Sequence, residues 1–204
     1  EDMQIKKLSG PGTKKKKKYF GGDAFDYATS IRQTTDGGYI VAGTTYSNNS
    51  GDVGITHGGS DCWILKLNSG GDITWQKFFG GTADDGASFI QQTNDGGYIV
   101  SGYTKSTNGD VTNNHGQQDY WIIKLDNAGN ISWQKTYGGS QPDLAYNIKQ
   151  TPDGGYIVIG NSDSFDGDVI ADPNTHGVWI IKLDAAGNID WQKTYGGPLG
   201  YEKA

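Results

Sequence analysis

Cysteine, basic charge and long apolar runs are all scarce in this sequence. Cys62 is the only cysteine among 204 residues, which excludes an internal disulfide and a zinc site built from several cysteines. The formal net charge of −6 at pH 7 argues against a nucleic acid partner. No stretch approaches the roughly 20 apolar residues of a membrane span, and no segment has the apolar periodicity of an amphipathic helix. A run of five lysines at 14–18 is interpreted as a solvated segment.

The tryptophans reveal an internal repeat. All six lie in pairs twelve residues apart, and successive pairs are 58 residues apart. The pairs are Trp63/Trp75, Trp121/Trp133 and Trp179/Trp191. The sequence around each tryptophan pair also recurs, as in DYWIIKLDNAGNISWQKTYGG. A segment such as QTNDGGYIVSG precedes it in every repeat. A fixed period of this kind indicates a repeat architecture. A tryptophan needed in every unit is predicted to pack between units and not to bind a ligand.

Each repeat contains four strand signals separated by turn signals. The first strand ends in Gln-Thr, a tight Asp-Gly-Gly turn leads into a glycine-bracketed second strand, and a long polar loop precedes strands three and four. Glycine tolerates the backbone conformation that hairpin turns need. Short segments rich in aromatic and β-branched residues and bounded by turns predict an all-β fold. Four antiparallel strands per repeat are typical of a β-propeller blade, and a β-trefoil is the alternative.

The predicted array holds about three and a half blades. Residues 2–20 align without a gap to 119–137 and form half a blade, with Gln4 and Lys16 in place of the tryptophans. Residues 21–79, 80–137 and 138–195 are whole blades, and 196–204 begin the next. A terminal repeat that faces solvent is often atypical. Since a propeller needs about four to eight blades, further repeats of the same protein, or another copy of the chain, are predicted to complete it.

The long loops between strands two and three are predicted to form the binding face, because loops on a rigid scaffold commonly carry function. Each loop contains a Gly-Asp-Val segment. The candidate calcium ligands are Asp52, Asp110, Asp166 and Asp168, since calcium prefers clustered carboxylate oxygens. The favoured alternative is that each aspartate caps its loop by accepting backbone N–H groups. No cofactor other than calcium is predicted.

Two further sets of residues are candidates for a site. Asp26, Asp85 and Asp143 begin the first strands and are predicted to converge at the rim of a central channel, where like charges require a cation or hydrogen-bond donors. The candidate ligand contacts in or near the loops are Tyr46, Tyr103, Phe165, His57 and His115. A hydrogen bond that orders the loop is the alternative interpretation of the histidines.

The motifs argue against an enzyme. The Thr-x-Asp-x-Gly segments at 34–38, 93–97 and 151–155 resemble the Asp-box of sialidases and related propellers. Those enzymes hold the substrate carboxylate with an arginine cluster, whereas Arg32 is the only arginine here. Nucleophile-elbow, P-loop and dinucleotide-binding motifs are missing. A glycan-active enzyme using two carboxylates is kept as the weakest alternative.

The composite pattern D-x-A-x-S-I-x-Q-T-x-D-G-G-Y-I-V-x-G, then G-D-V, then W-I-x-K-L-D-x-x-G-N-I-x-W-Q-K-T-Y-G-G resembles bacterial secreted β-propeller repeats over residues 2–197. Such repeats occur in large exported and surface proteins, especially of Bacteroidota-like bacteria. The resemblance implies an extracellular or cell-surface location and brings no catalytic residues with it. The predicted function is a non-catalytic module that binds glycans or proteins, as in adhesion. The alternative is an assembly module that closes a ring or filament through open blade edges.

Overall fold

The computed structural model describes residues 2–7, 16–170 and 176–197, and all regular structure in those ranges is β. The strands are β1 (Met3–Lys7), β2 (Lys16–Phe20), β3 (Asp26–Gln33), β4 (Tyr39–Thr45), β5 (Asp61–Leu67), β6 (Ile73–Phe79), β7 (Asp85–Gln92), β8 (Tyr98–Thr104), β9 (Asp119–Leu125), β10 (Ile131–Tyr137), β11 (Asp143–Gln150), β12 (Tyr156–Ser162), β13 (His176–Leu183) and β14 (Ile189–Gly197). Within the described ranges, no helix has the length and apolar character needed to cross a membrane.

The strands form one two-stranded sheet and three four-stranded sheets. Strands β1 and β2 pair with each other, and β3–β6, β7–β10 and β11–β14 form the first, second and third sheets. In every sheet each strand pairs antiparallel with the next strand along the chain. The strands of the three large sheets coincide with the four strand signals of each repeat. The prediction of an all-β fold built from four-stranded antiparallel sheets is therefore confirmed.

The Asp-Gly-Gly turns have the same construction in each large sheet. The glycine after the aspartate has a positive φ, for example 79° at Gly37, which favours glycine. The Asp36 carboxylate accepts hydrogen bonds from Gly38 N at 2.9 Å and from Lys66 Nζ at 2.8 Å. The hydrogen bond from Lys66 is the main reason that the pKa of Asp36 is held well below its usual range. Lys124 and Lys182 reach Asp95 and Asp153 in the same way, so these aspartates stabilise turns.

The hydrophobic core lies between successive sheets. The tryptophans of the third strands, Trp63, Trp121 and Trp179, are all buried. Residues from the first and second sheets share one cluster, and residues from the second and third sheets share another. The contacts between adjacent sheets are made mainly by first strands. Strand β7 contacts β3, β4 and β5 of the first sheet, and β11 contacts β7, β8 and β9 of the second. As predicted, these tryptophans are packing residues.

The two-stranded sheet covers the opposite side of the first sheet. Met3 and Phe20 are buried against a cluster that includes Val41, Trp63 and Leu65. Its pairing register, Met3 with Phe20 and Ile5 with Lys18, matches the hairpin of strands three and four in the larger sheets. Residues 8–15, which contain the first two lysines of the run, lie outside the described residues, and the last three lie on β2.

Candidate functional site

The long loops follow β4, β8 and β12 and lie beside the Gly-Gly links that enter each large sheet. The Gly-Asp-Val aspartates bind those links. The backbone N–H groups of Asp52, Asp110 and Asp168 donate to the carbonyls of Gly21, Gly80 and Gly138, each at 2.9 Å. Their carboxylates lie 3.2–3.4 Å from the N–H groups of the same glycines. The valine after each aspartate is buried. Each loop is thereby fastened to the chain that leads into its own sheet.

These contacts match the loop-capping interpretation of the Gly-Asp-Val segments. Asp166 behaves similarly, since its Oδ1 accepts from the backbone N–H of Ser140 at 2.7 Å, and that contact lowers the pKa of Asp166. Among the described residues, no group of three or more His, Cys, Asp or Glu side chains could hold a metal ion. Calcium binding by these aspartates stays a prediction.

Asp26, Asp85 and Asp143 are buried hydrogen-bond acceptors at the start of the first strands. The Oδ2 atoms accept from the N–H groups of Gly22, Gly81 and Gly139 at 2.7–2.8 Å. Serine hydroxyls from Ser47, Ser106 and Ser164 donate to the same carboxylates at 2.6–3.0 Å. From the sequence, like charges at these positions were expected to require either a cation or hydrogen-bond donors. The structure shows hydrogen-bond donors. A cation on a central axis stays a prediction.

Each predicted histidine joins a loop to a buried aspartate that begins a third strand. His57 Nδ1 lies 3.0 Å from Asp61 Oδ1, and His115 Nδ1 lies 2.9 Å from Asp119 Oδ2. The other ring nitrogen of His115 lies 3.7 Å from Asp168 Oδ2 in the next sheet's loop. Asp61 and Asp119 are fully buried, and sequence reasoning did not identify them as partners. Their position four residues after each histidine was the available signal.

Pairs of buried carboxylates converge where one sheet leads into the next. A Cβ on Gly138 would lie 2.5 Å from Asp119 Oδ1 and 2.6 Å from Asp143 Oδ2, so the link glycine leaves room for both side chains. Asp119 Oδ1 has no hydrogen-bond partner among the described residues. Burial raises the pKa of Asp119, and burial raises the pKa of Asp143 to about 6. The same convergence occurs at Gly80 with Asp61 and Asp85.

The raised pKa of Asp143 predicts a loss of stability as pH rises. A carboxyl whose pKa is higher in the folded chain than in the unfolded chain stabilises the fold fully below the unfolded value, and this stabilisation is lost as pH rises through the folded value. The ordinary value is 3.8 and the folded value is about 6, so the window is pH 4 to 6. We expect Asp143→Asn to remove up to about 3 kcal/mol of this pH dependence, measured by urea unfolding at pH 4, 5, 6 and 7.

Asp153→Asn is the matched control for that experiment. Hydrogen bonding to Lys182 lowers the pKa of Asp153, so its contribution to stability is already complete above pH 4 and falls only in stronger acid. The slope between pH 4 and 7 is therefore expected to be unchanged in Asp153→Asn. An unchanged slope in Asp143→Asn would contradict the assignment of the buried carboxyl.

Two of the three predicted aromatic contacts lie together. The Tyr103 hydroxyl lies close enough to Tyr27, Tyr46 and Ser60 to interact with them electrostatically. Burial is the main reason that the pKa of Tyr103 is raised. Phe165 lies on the third loop and is partly exposed. Tyr27 was not predicted from the sequence as a neighbour of Tyr103.

A polar groove of about 460 Å³ separates the outer strands of the second and third sheets. Its lining includes Asn113, His115, Lys135, Tyr137 and Asp168. In the first sheet the position of Thr136 is taken by Phe78, whose ring packs against Gly54. The small side chain of Thr136 therefore leaves this groove open. This groove has room for a small ligand.

Comparison with known proteins adds no assignment. No known family model matches the chain, and no curated protein matches it significantly.

Proposed function

We propose that this chain is a non-catalytic β-propeller repeat module of an exported bacterial protein, and that its third sheet receives a further blade of the same kind. Each four-stranded sheet corresponds to one blade in this proposal. Two features support it: the sheets are simple antiparallel meanders, and their first strands lie side by side. Both are features of propeller blades arranged around an axis.

The observation that carries the proposal is the open face, the side of the third sheet turned away from the second. This face consists of Ile157, Ile159, Val178, Ile180, Trp191 and Tyr195. In the first sheet the equivalent residues Ile40, Ala42, Cys62, Ile64 and Phe79 are buried beneath the second sheet. On the open face, the four aliphatic residues are only half-buried, and Tyr195 is 52% exposed. The same repeat positions therefore have no covering sheet among the described residues.

The fourth-strand tryptophans identify what cover is missing. Trp75 packs against Gly129 of the next sheet and meets Tyr98 edge to face, with ring centroids 5.8 Å apart. Trp133 meets Tyr156 of the third sheet in the same way at 5.9 Å. Trp191 is 46% exposed. The fitting occupant is a sheet that offers a tyrosine and a glycine turn at these positions, which is what another repeat provides.

The other side of the module is different in chemistry. On β1 and β2, the side chains turned away from the first sheet include Gln4, Lys6 and Lys17, and all three are exposed. Gln4 and Lys6 occupy the positions of Trp121 and Ile123 in the second sheet. This side is polar apart from Tyr19, which is 53% exposed, whereas the open face is built of aliphatic and aromatic residues and suits a partner, since exposed apolar patches mark interaction surfaces.

The structural roles of Arg32 and of the Asp-box-like aspartates support a non-catalytic function. The guanidinium of Arg32 lies 4.5 Å from the centre of the Phe89 ring, where it joins the first and second sheets. The Asp-box-like aspartates hold lysines within the turns. The only arginine and the most enzyme-like motif of the sequence are thus engaged in packing.

An extended chain tests the proposal directly. A second copy of residues 138–197 is joined after residue 195, which preserves the repeat period. If the open face takes a blade, Trp191 fluorescence shifts to the blue and Tm rises by about 5 °C or more, because burial of the face stabilises the fold. The Trp191 signal is obtained as the difference from a Trp191→Phe chain.

The control is the same extension with Trp179→Gln and Ile181→Lys in the added copy. These changes give it the polar side found on β1, so it should not dock, and Trp191 should remain exposed. The proposal fails if both extensions behave alike, with Tm unchanged and the added copy removed by protease.

A further inference from the structure

Four aromatic side chains, Phe25, Tyr27, Tyr46 and Tyr103, form an aromatic cluster at the inner ends of the first and second sheets. Phe25 is 65%, Tyr46 45% and Tyr27 41% exposed. The backbone links two of them, because Tyr46 N donates to Phe25 O at 2.9 Å. Tyr103, from the second sheet, lies close enough to Tyr27 of the first to influence it electrostatically. The cluster therefore spans two sheets and presents large aromatic surfaces to solvent.

The repeat itself does not require these side chains. Phe25 corresponds to Asp84 and Pro142, Tyr27 to Gly86 and Leu144, Tyr46 to Lys105 and Asp163, and Tyr103 to Thr44 and Asn161. The backbone contact is nevertheless preserved, since Lys105 N donates to Asp84 O and Asp163 N to Pro142 O. The fold is thus built equally well without aromatic residues here. Exposed aromatic area that packing does not need is typical of a binding surface.

Gly86 shapes the cluster. A Cβ on Gly86 would lie 3.0 Å from two ring atoms of Tyr103 and 2.6 Å from Thr44 Oγ1. Because glycine has no side chain, the Tyr103 ring crosses β7 and reaches the first sheet. In the third sheet this position is Leu144, which would block such a path. The cluster depends on one glycine as well as on four aromatic residues.

We propose that the aromatic cluster binds a sugar ring of a neutral glycan. A pyranose has apolar C–H faces and a rim of hydroxyls, and tyrosine offers an apolar ring with a polar tip. Three of the four residues are tyrosines. Asp26, between Phe25 and Tyr27, is buried, and Lys105 and Asp84 at the equivalent positions of the second sheet are paired with each other at 3.1 Å. The surface therefore offers stacking and hydroxyl contacts without a net charge, which favours a neutral sugar over an anionic one.

Affinity electrophoresis tests the proposal. The chain is run in native gels containing xyloglucan, mixed-linkage β-glucan, galactomannan or, as the charged comparison, polygalacturonate. At least one neutral polysaccharide should retard the chain, and polygalacturonate should not. Tyr27→Ala should weaken that binding about tenfold, the effect of losing one aromatic contact. Gly86→Leu should abolish it by displacing Tyr103.

The control variants separate this site from other surfaces. Tyr19→Ala removes a tyrosine on β2 that is 53% exposed, more than Tyr27, and should bind as the parent does. Thr136→Phe closes the polar groove between the second and third sheets and should also leave binding intact. Loss of binding in Thr136→Phe but not in Tyr27→Ala would place the ligand in that groove and overturn the proposal. A parent chain that no neutral polysaccharide retards would overturn it too, in favour of a protein partner. Neither result bears on whether the open face accepts a blade.

Discussion

Replacing Trp121 with alanine is expected to lower the free energy of unfolding by about 3–5 kcal/mol. Trp121 is 1% exposed and lies in the core shared by the first and second sheets. Its Nε1 donates to Gln134 Oε1 at 2.8 Å. The substitution removes a large buried ring between two sheets that cannot close the gap without breaking their register. It also leaves Gln134 without this donor.

Trp191→Ala is the matched control, because Trp191 belongs to the same repeat but is 46% exposed on the open face. Its expected cost is below about 1 kcal/mol, as for most surface positions. Both variants are compared with the parent by urea unfolding at low protein concentration. Equal losses would contradict the stacking of the first and second sheets described here, or would mean that the open face is already covered in solution.

The strands of the large sheets were predictable because the repeat supplies the same signal three times. Each Asp-Gly-Gly turn and each Trp-bearing strand is found where the sequence places it. The packing role of Trp63, Trp121 and Trp179 followed from the same argument, since residues required in every unit serve every interface. The sequence repeat therefore predicts both the local structure of each unit and its recurrence along the chain.

Long-range contacts were not predictable in the same way. The sequence left Asp52 between two interpretations, calcium ligand and loop cap, because both use the same carboxylate. The partner that completes the cap is Gly21, 31 residues earlier in the chain. The contact of Tyr103 with Tyr27 also depends on the missing side chain of Gly86. Comparison of equivalent positions between repeats was the one sequence signal that could have revealed it.

Replacing Asp85 with alanine is expected to cost about 3–5 kcal/mol of folding free energy. Its fully buried carboxylate accepts from Gly81 N at 2.7 Å, from Ser106 Oγ at 2.6 Å and from Thr104 Oγ1. Alanine would leave these donors buried without an acceptor, and each such group costs about 1–3 kcal/mol. Urea unfolding measures the loss, and amide hydrogen exchange at Gly81 reports whether the link between sheets opens.

Asp84→Ala tests whether that cost comes from the buried acceptor and not from the loss of a negative charge. Asp84 is the neighbouring residue, but its carboxylate forms an exposed ion pair with Lys105 at 3.1 Å, so removing it should cost at most about 1 kcal/mol. Equal effects of the two substitutions would contradict the role given to Asp85. If only Asp85→Ala lowers the free energy of unfolding strongly and speeds amide exchange at Gly81, the buried carboxylates of the first strands stabilise the links between successive sheets. Asp26 and Asp143, which bind Gly22 and Gly139 in the same way, should then respond as Asp85 does.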